Sequence, residues 1–124
     1  MTQSMVEKIN LSEKLVQFSD YWSPRVIGEL NDYQLKLVKI KGSFVWHTHD
    51  ETDELFLVLT GKMSIVFKDH TVDLNEGELL VVPKGTPHKP VAADECHVML
   101  IEPNGVRNTG DRIETLTAQN NVWI

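Results

Sequence analysis

Cysteine is nearly absent from this chain, since Cys96 is the only one among 124 residues. A single cysteine excludes an intrachain disulfide and a zinc site built from several cysteines of one chain. The chain also lacks long apolar runs: residues 55–59 form the longest, far short of the ~20 residues that a transmembrane helix needs. Residues 1–8 contain no apolar stretch of the length typical of a signal peptide, so we expect a cytoplasmic protein.

Positively charged residues are also scarce in this chain. Twelve basic residues stand against 18 acidic ones, which gives a net charge of −6. Such a chain repels phosphate backbones and anionic lipids, so we expect neither nucleic acid nor membrane as its partner. The length predicts one domain, residues 1–124. Within it we expect a helical N-terminal extension (1–24), a β-barrel (25–103) and a C-terminal tail (104–124).

The spacing of apolar and turn residues predicts one short helix followed by strands. Asn10 and Glu13 have the spacing of a helix N-cap and its partner, and Leu11, Leu15 and Phe18 follow on one helical face, which predicts a helix over residues 11–18. Short β-rich runs separated by turn residues then predict strands. They cover residues 26–30, 35–40, 43–49, 54–60, 63–68, 71–74, 78–82 and 97–102. This pattern favours an all-β sandwich or barrel, because closing a sheet removes its exposed edges.

Two histidines share one predicted strand. His47 and His49 are two residues apart, so in a strand both imidazoles lie on one face, about 6–7 Å apart. That separation suits one shared metal ion, because each metal–nitrogen bond is only about 2.0–2.1 Å long. Glu54 follows a polar stretch that can turn the chain and bring a carboxylate to the same point. An isolated pair of this kind is equally compatible with a solvated strand face.

The wider spacing of glycines, proline and histidines resembles the two signatures of the cupin family. The first signature reads Gly42, four residues, His47-Thr48-His49, four residues, Glu54, six residues and Gly61. The second reads Gly77, five residues, Pro83-Lys84-Gly85, two residues and His88. Two details depart from the family pattern: it usually has five residues between the first glycine and the first histidine, and asparagine where this chain has Ala92.

The resemblance implies a small jelly-roll barrel of the cupin type, with His47, His49, Glu54 and His88 binding one divalent metal ion in its interior. Three imidazoles and one carboxylate suit transition metals such as Zn, Mn, Fe or Ni, and Co or Cu as well, whereas Ca and Mg prefer oxygen ligands. Four protein ligands leave one or two positions open on an octahedral ion. A substrate or water binds at such positions.

Strand alternation also predicts which neighbouring side chains face the interior. With His47 and His49 inside, Val45 also faces inward, while Phe44, Trp46 and Thr48 face outward. Phe56 and Val58 are expected to face inward with Glu54. An outward Trp46 needs cover from the N-terminal helix or from a second subunit, and cupins commonly pair through such faces, so we expect a homodimer.

The remaining reactive side chains have simpler interpretations. We expect His70 to be exposed at a hairpin tip and Cys96 to be a small buried hydrophobe. His97 is assigned either a structural role or a supporting role behind the metal ligands. An acidic turn, comprising Asp50, Glu51 and Asp53, is interpreted as solvated, with a second metal site as the alternative.

Two classes of function follow from a metal site in a barrel. The first is a metalloenzyme of isomerase, lyase or dioxygenase type that acts on a small polar molecule, such as a sugar derivative or an organic acid. Short single-barrel sequences of this kind resemble the mannose-6-phosphate-isomerase-like cupins. The second is a binding or sensor module that holds a small molecule without converting it, and a weaker third is a barrel kept for stability. A general acid or base near the metal distinguishes the first class, and strand alternation nominates none.

Overall fold

The computed structural model describes residues 6–110 and 114–124, so residues 1–5 of the expected N-terminal extension and residues 111–113 of the expected tail lie outside the described residues. One short helix precedes a set of antiparallel strands. The elements are α1 (Leu11–Leu15), β1 (Arg25–Leu30), β2 (Tyr33–Ser43), β3 (Glu54–Thr60), β4 (Met63–Val66), β5 (Thr71–Leu74), β6 (Leu79–Val82) and β7 (Lys89–Pro103). The all-β fold with a short N-terminal helix is confirmed.

Strand β7 organises the sheet. It pairs antiparallel with β2 along one edge, and with β3 and then β4 along the other edge. The strand order is β1-β2-β7-β3-β6, and β4 also pairs with β5. Because one long strand contacts three others, the register of β7 decides which inward side chains of β2 and β3 meet.

The length of β7 differs from the expectation. The sequence predicted a strand over residues 97–102 only, whereas β7 runs from Lys89 to Pro103. Its first half contains Pro90, Asp94 and Glu95, residue types that are depleted in strands. Pairing with β2 and β4 holds this half in the sheet, so tertiary contacts override the weak local preference.

The strand predicted over residues 43–49 is wrong. Strand β2 ends at Ser43, after an irregularity between Ile40 and Gly42, where Gly42 has φ +85°. The histidine segment then leaves the sheet, so in–out alternation no longer applies. Phe44, which was predicted to face outward, is buried and stacks on Trp22 with ring centroids 4.6 Å apart. Val45, predicted to face inward, is only half-buried.

The apolar core has an inner and an outer part. The inner part includes Phe56 and Val58, which are buried as predicted. In the outer part, Phe18 packs with Leu37 and Ile27, and the helix residues Leu11 and Leu15 pack against them. The helix begins after Asn10, whose Oδ1 accepts a hydrogen bond from Glu13 N at 3.0 Å, but it ends at Leu15 rather than Phe18. It covers one outer face of the sheet.

The C-terminal tail packs back onto the barrel. Val26 N donates to Val122 O (2.7 Å) and Ile124 N donates to Val26 O (3.1 Å), which joins the end of the chain to β1. Asn108 donates to the carbonyls of Trp22 and Leu116, both at 2.9 Å. In residues 6–110 and 114–124, no helix has the length and apolarity needed to cross a membrane.

Candidate metal centre

A backbone bridge brings two of the three histidines of the site together. His47 N donates to His88 O and His88 N donates to His47 O, each at 3.0 Å. This isolated antiparallel bridge joins the histidine segment to His88, the residue before β7, and Phe44 N also donates to Pro90 O of β7 at 2.9 Å. The bridge places the two imidazole centroids 4.3 Å apart.

The outer nitrogens of both rings face backbone carbonyls. His47 Nδ1 lies 2.9 Å from Val45 O, and His88 Nδ1 lies 2.9 Å from Thr86 O. A carbonyl only accepts, so in the neutral ring Nδ1 carries the hydrogen and Nε2 keeps its lone pair. Both rings therefore offer Nε2 toward the barrel interior, which is the arrangement that metal-binding imidazoles use.

Glu54 and His49 complete the cluster. Glu54 is the first residue of β3, and its Oε1 lies 3.2 Å from His49 Nε2 and 3.3 Å from His88 Nε2. His49 is fixed from its backbone side, because its carbonyl accepts a hydrogen bond from Gly85 N at 2.9 Å. Gly85 has φ +77°, a conformation that glycine adopts without strain.

The four candidate ligands converge on one point. One ligand atom from each of His47, His49, Glu54 and His88 lies within 4.8 Å of the other three, and all four side chains are buried. The sequence expected His47 and His49 to converge from one strand face. They meet instead from an irregular segment, with ring planes at 87° and centroids 5.1 Å apart.

The protonation of the cluster favours metal binding. Burial lowers the pKa of His47 to about 4, and the neighbouring His88 adds to this effect, so the ring is neutral near pH 7. For Glu54, burial by itself raises the pKa, but the polar contacts from His49 and His88 outweigh it and hold the pKa below its usual range. A neutral imidazole and an ionised carboxylate are the forms that bind a cation.

A buried nitrogen without a hydrogen-bond partner indicates that the residues fit a metal ion. Among the described residues, Nε2 of His49 is buried and has no hydrogen-bond partner, although Glu54 lies close. Leaving a buried polar atom unpaired is costly, and an ion at the centre of the four ligands removes that cost. The donor set of three nitrogens and one oxygen fits a transition metal better than Ca or Mg.

Two spaces adjoin the cluster. On the inner side, a small apolar cavity of about 30 Å³ reaches His47 and Glu54 and is lined by Phe44, Phe56 and Leu100 among others. On the outer side, a pocket of about 430 Å³ reaches His49 and is lined by both polar and apolar residues, including Arg107. Room for a small molecule therefore lies on the outer side.

The loop after Pro103 closes part of this outer pocket. Gly110 has φ +66°, and a Cβ atom there would overlap the carbonyl of Thr48, next to His47. A side chain at this position is therefore excluded by a backbone atom. Gly105, Val106, Arg107 and Gly110 of this loop line the pocket.

The other reactive side chains lie outside the cluster. His70 is exposed and contacts Asp69, as expected, and His97 contacts Glu95 on the outside of the sheet, which favours its structural interpretation. Cys96 is fully buried, and burial raises the pKa of its thiol to about 11. In the acidic turn, Asp53 accepts a hydrogen bond from Lys84 N at 2.8 Å, so it supports the loop that carries His88.

Sequence reasoning missed a buried ion pair beside the cluster. Lys36 Nζ lies 2.8 Å from Glu102 Oε1, with the side chains 3% and 1% exposed. The sequence predicted Glu102 as the last residue of a strand and assigned it no role in the site. A signal was present: Glu102 follows Val98 and Leu100 at a spacing of two, which puts all three on one strand face.

Comparison with known proteins identifies the family. The family model for the cupin domain matches residues 35–102. A crystal structure of a cupin-2 domain protein from Shewanella frigidimarina superimposes with a TM-score of 0.77 and 53% sequence identity, covering 77% of this chain and 94% of that one.

Two curated relatives are similar in sequence. The uncharacterized protein YdbB of Bacillus subtilis is 44% identical over 64 residues, which is 51% of this chain and 57% of that protein. The 3-hydroxyanthranilate 3,4-dioxygenase 2 of Aspergillus fumigatus is 27% identical over 117 residues, 86% of this chain and 60% of the enzyme. This chain thus spans less than two thirds of either relative. The family model covers more than half of the sequence and the full length of the site, and the chain belongs to the cupin family.

Proposed function

We propose that this cupin binds one divalent transition-metal ion through His47, His49, Glu54 and His88 and acts in the cytoplasm as a metalloenzyme on a small polar molecule. The observation that carries the proposal is the convergence of four buried ligand atoms within 4.8 Å, in a set where one nitrogen has no other partner among the described residues. When bound, the ion polarises a substrate oxygen or holds a co-substrate.

The outer pocket supports a small-molecule substrate. Its volume of about 430 Å³ lies in the range typical of small-ligand sites, and it reaches the candidate ligand His49. Arg107 and the acidic residues Asp50 and Glu51 line the same space. Charged groups of both signs favour a polar ligand over a hydrocarbon.

Among isomerase, lyase and dioxygenase chemistry, the similarity to the Aspergillus dioxygenase gives dioxygenase chemistry the most support. It extends over 86% of this chain. The alternative is a binding or sensor module with the same metal site. A screen of small organic acids and sugar derivatives with the Fe(II)-loaded and Mn(II)-loaded protein separates these classes: substrate loss or oxygen uptake supports the enzyme, and saturable binding without turnover supports the module.

The metal assignment is tested by His49→Ala. We expect the variant to retain the β-type circular dichroism spectrum and to lose at least about tenfold in metal affinity, since one of four ligands is gone. Metal content is measured by elemental analysis after purification without added metal. His70→Ala is the matched control, because His70 is an exposed histidine outside the cluster. Stoichiometric metal in His49→Ala would contradict the assignment.

We also infer a homodimer, on a surface other than the one the sequence suggested. Trp46 is half-buried, and Lys68 Nζ lies 3.9 Å from its ring centroid, so the chain itself provides cover. The better candidate is β6, where Leu79 and Val81 are 55% and 46% exposed. Among the described residues β6 pairs only with β3, and identical edge strands related by a two-fold axis can pair antiparallel with each other.

Light scattering coupled to gel filtration tests the dimer. The wild-type protein is expected at twice the chain mass of 14.1 kDa. The double variant Leu79→Lys/Val81→Lys is expected as a monomer, because it places like charges across the shared edge. A monomeric wild type would overturn the inference.

A further inference from the structure

The buried ion pair between Lys36 and Glu102 calls for an explanation. Its atoms are 2.8 Å apart, and both side chains are almost fully excluded from solvent. Transferring an ammonium and a carboxylate out of water costs several kcal/mol per ion, and their mutual attraction often does no more than offset this cost. A contribution to stability is therefore a weak explanation for this ion pair. Its position beside the metal ligands suggests a role in the site.

The sheet register places Glu102 beside a candidate metal ligand. Strand β7 pairs Ile101 with Leu55 of β3, so one step further along the register Glu102 lies opposite Glu54. On its other side Glu102 pairs with Gln34 of β2. All three side chains of this row are buried, so the Glu102 and Glu54 carboxyl groups are neighbours across the β3–β7 pairing.

The two oxygens of Glu102 have different partners. Oε1 accepts the hydrogen bond from Lys36, whereas Oε2 is buried and has no hydrogen-bond partner in the described part of the chain. Lys36 Nζ also lies 3.4 Å from Val106 O, in the loop that lines the outer pocket. The Lys36–Glu102 ion pair therefore connects Glu54 to the loop that lines the outer pocket.

We propose that Glu102 is a positioning residue for Glu54: Lys36 holds the Glu102 carboxyl group, which contacts the Glu54 carboxylate and keeps its Oε1 directed at the imidazoles. The proposal rests on the metal site proposed above. Supporting contacts of this kind orient metal ligands, and their loss typically lowers metal affinity by about 10- to 100-fold.

Glutamine is the substitution that separates positioning from charge. In Glu102→Gln, the amide oxygen can still accept from Lys36 and the amide nitrogen can donate to Glu54, so both contacts are preserved. In Glu102→Ala both are lost. The double variant Lys36→Met/Glu102→Met replaces the ion pair with apolar groups of similar size, which is often neutral for stability, and it also removes the contact to Glu54.

The experiment measures Co²⁺ affinity and the visible spectrum of the Co²⁺-loaded protein, which reports the geometry of the ligands. We expect wild type and Glu102→Gln to agree within about threefold in affinity and to share one spectrum. Glu102→Ala and the double methionine variant are expected to bind about 10- to 100-fold more weakly, with an altered spectrum. Glu95→Ala is the control, because Glu95 lies on the same strand and contacts His97 and Tyr21 outside the barrel.

Three outcomes overturn the proposal. Wild-type affinity and spectrum in the double methionine variant would show that the contact to Glu54 is irrelevant, even if Glu102→Ala fails to fold. Equal weakening in Glu102→Gln and Glu102→Ala would assign the effect to lost charge instead of positioning. Absence of Co²⁺ binding by the wild type would overturn both this proposal and the metal site, whereas the first two outcomes leave the metal site intact.

Discussion

The two ends of the barrel interior are built on the same three strands and differ in chemistry. Strands β2, β7 and β3 each direct polar side chains inward at one end and apolar side chains further along. The polar end contains Gln34, Lys36, Glu54 and Glu102, and the apolar end contains Val38, Ile40, Val58, Cys96 and Val98. Burial is nearly complete at both ends.

Burial has a different energetic effect at the two ends. At the apolar end burial is favourable by itself, since each side chain leaves water for a close-packed interior. At the polar end each buried group needs a partner, and Gln34, His49 and Glu102 each retain an atom without one among the described residues. The apolar end supplies stability, whereas the polar end retains groups whose pairing is incomplete among the described residues.

Removing one partner of the Lys36–Glu102 ion pair should have the largest effect on stability. In Lys36→Met, the Glu102 carboxyl group loses its buried partner, and removal of one partner of such a pair typically costs about 3–5 kcal/mol. The free energy of unfolding of the metal-free protein is measured in urea. We expect the Lys36→Met/Glu102→Met variant to regain at least half of the free energy of unfolding that Lys36→Met loses. A loss below about 1 kcal/mol in Lys36→Met would mean that the two ends do not differ in this way.

At the apolar end, a truncation should affect stability without affecting the metal. Leu74 is 4% exposed and packs in the inner core. Leu74→Ala is expected to lower the free energy of unfolding by about 3 kcal/mol, because it removes buried apolar surface and leaves a cavity. Metal stoichiometry under native conditions, measured by elemental analysis, should equal that of the wild type. A stoichiometric loss of metal in this variant would show that the two ends are coupled.

Acid should act on the polar end through His47. The unfolded chain protonates His47 near its ordinary pKa of about 6.5, whereas the folded protein does so only near 4, because the ring is buried. Between these values the unfolded state binds more protons, so stability falls as the pH decreases. The expected loss between pH 7.5 and pH 5 is about 2 kcal/mol.

The matched measurement for His47 uses a Glu102→Gln background. The raised pKa of Glu102 has the opposite sign: its contribution is present at low pH and is lost as the pH rises through the folded-state value. Replacing Glu102 removes this opposing effect. Urea unfolding of the metal-free Glu102→Gln protein is then compared with Glu102→Gln/His47→Gln at both pH values, and an equal pH dependence in the two would refute the assignment to His47.

The smallest effect is expected at Cys96, which lies at the apolar end. Its side chain is fully buried and its thiol pKa is raised to about 11 by burial, so almost no thiolate is present near neutral pH. A thiol reagent should leave the native protein unlabelled over the time in which it fully labels the urea-unfolded chain. Rapid labelling of the native protein would show that this end opens to solvent.

The sequence by itself determined much of this protein. Short β-rich runs separated by turn residues predicted an all-β domain, and Asn10 with Glu13 located the helix start. The resemblance of the glycine and histidine spacing to the cupin signatures implied His47, His49, Glu54 and His88, the same four residues that the structure brings together. These features are local, because turn geometry and helix capping act over a few residues.

Only the tertiary structure decided the rest. The histidine segment is irregular because the chain leaves the sheet after Gly42, and strand alternation therefore assigned Phe44 to the wrong face. Lys36 and Glu102 are 66 residues apart, and they meet because β7 pairs with β2 in one register. Hydrophobic periodicity specifies which side chains of a strand point inward, but the partners that they meet depend on the alignment of strands distant in sequence, and no local pattern encodes that alignment.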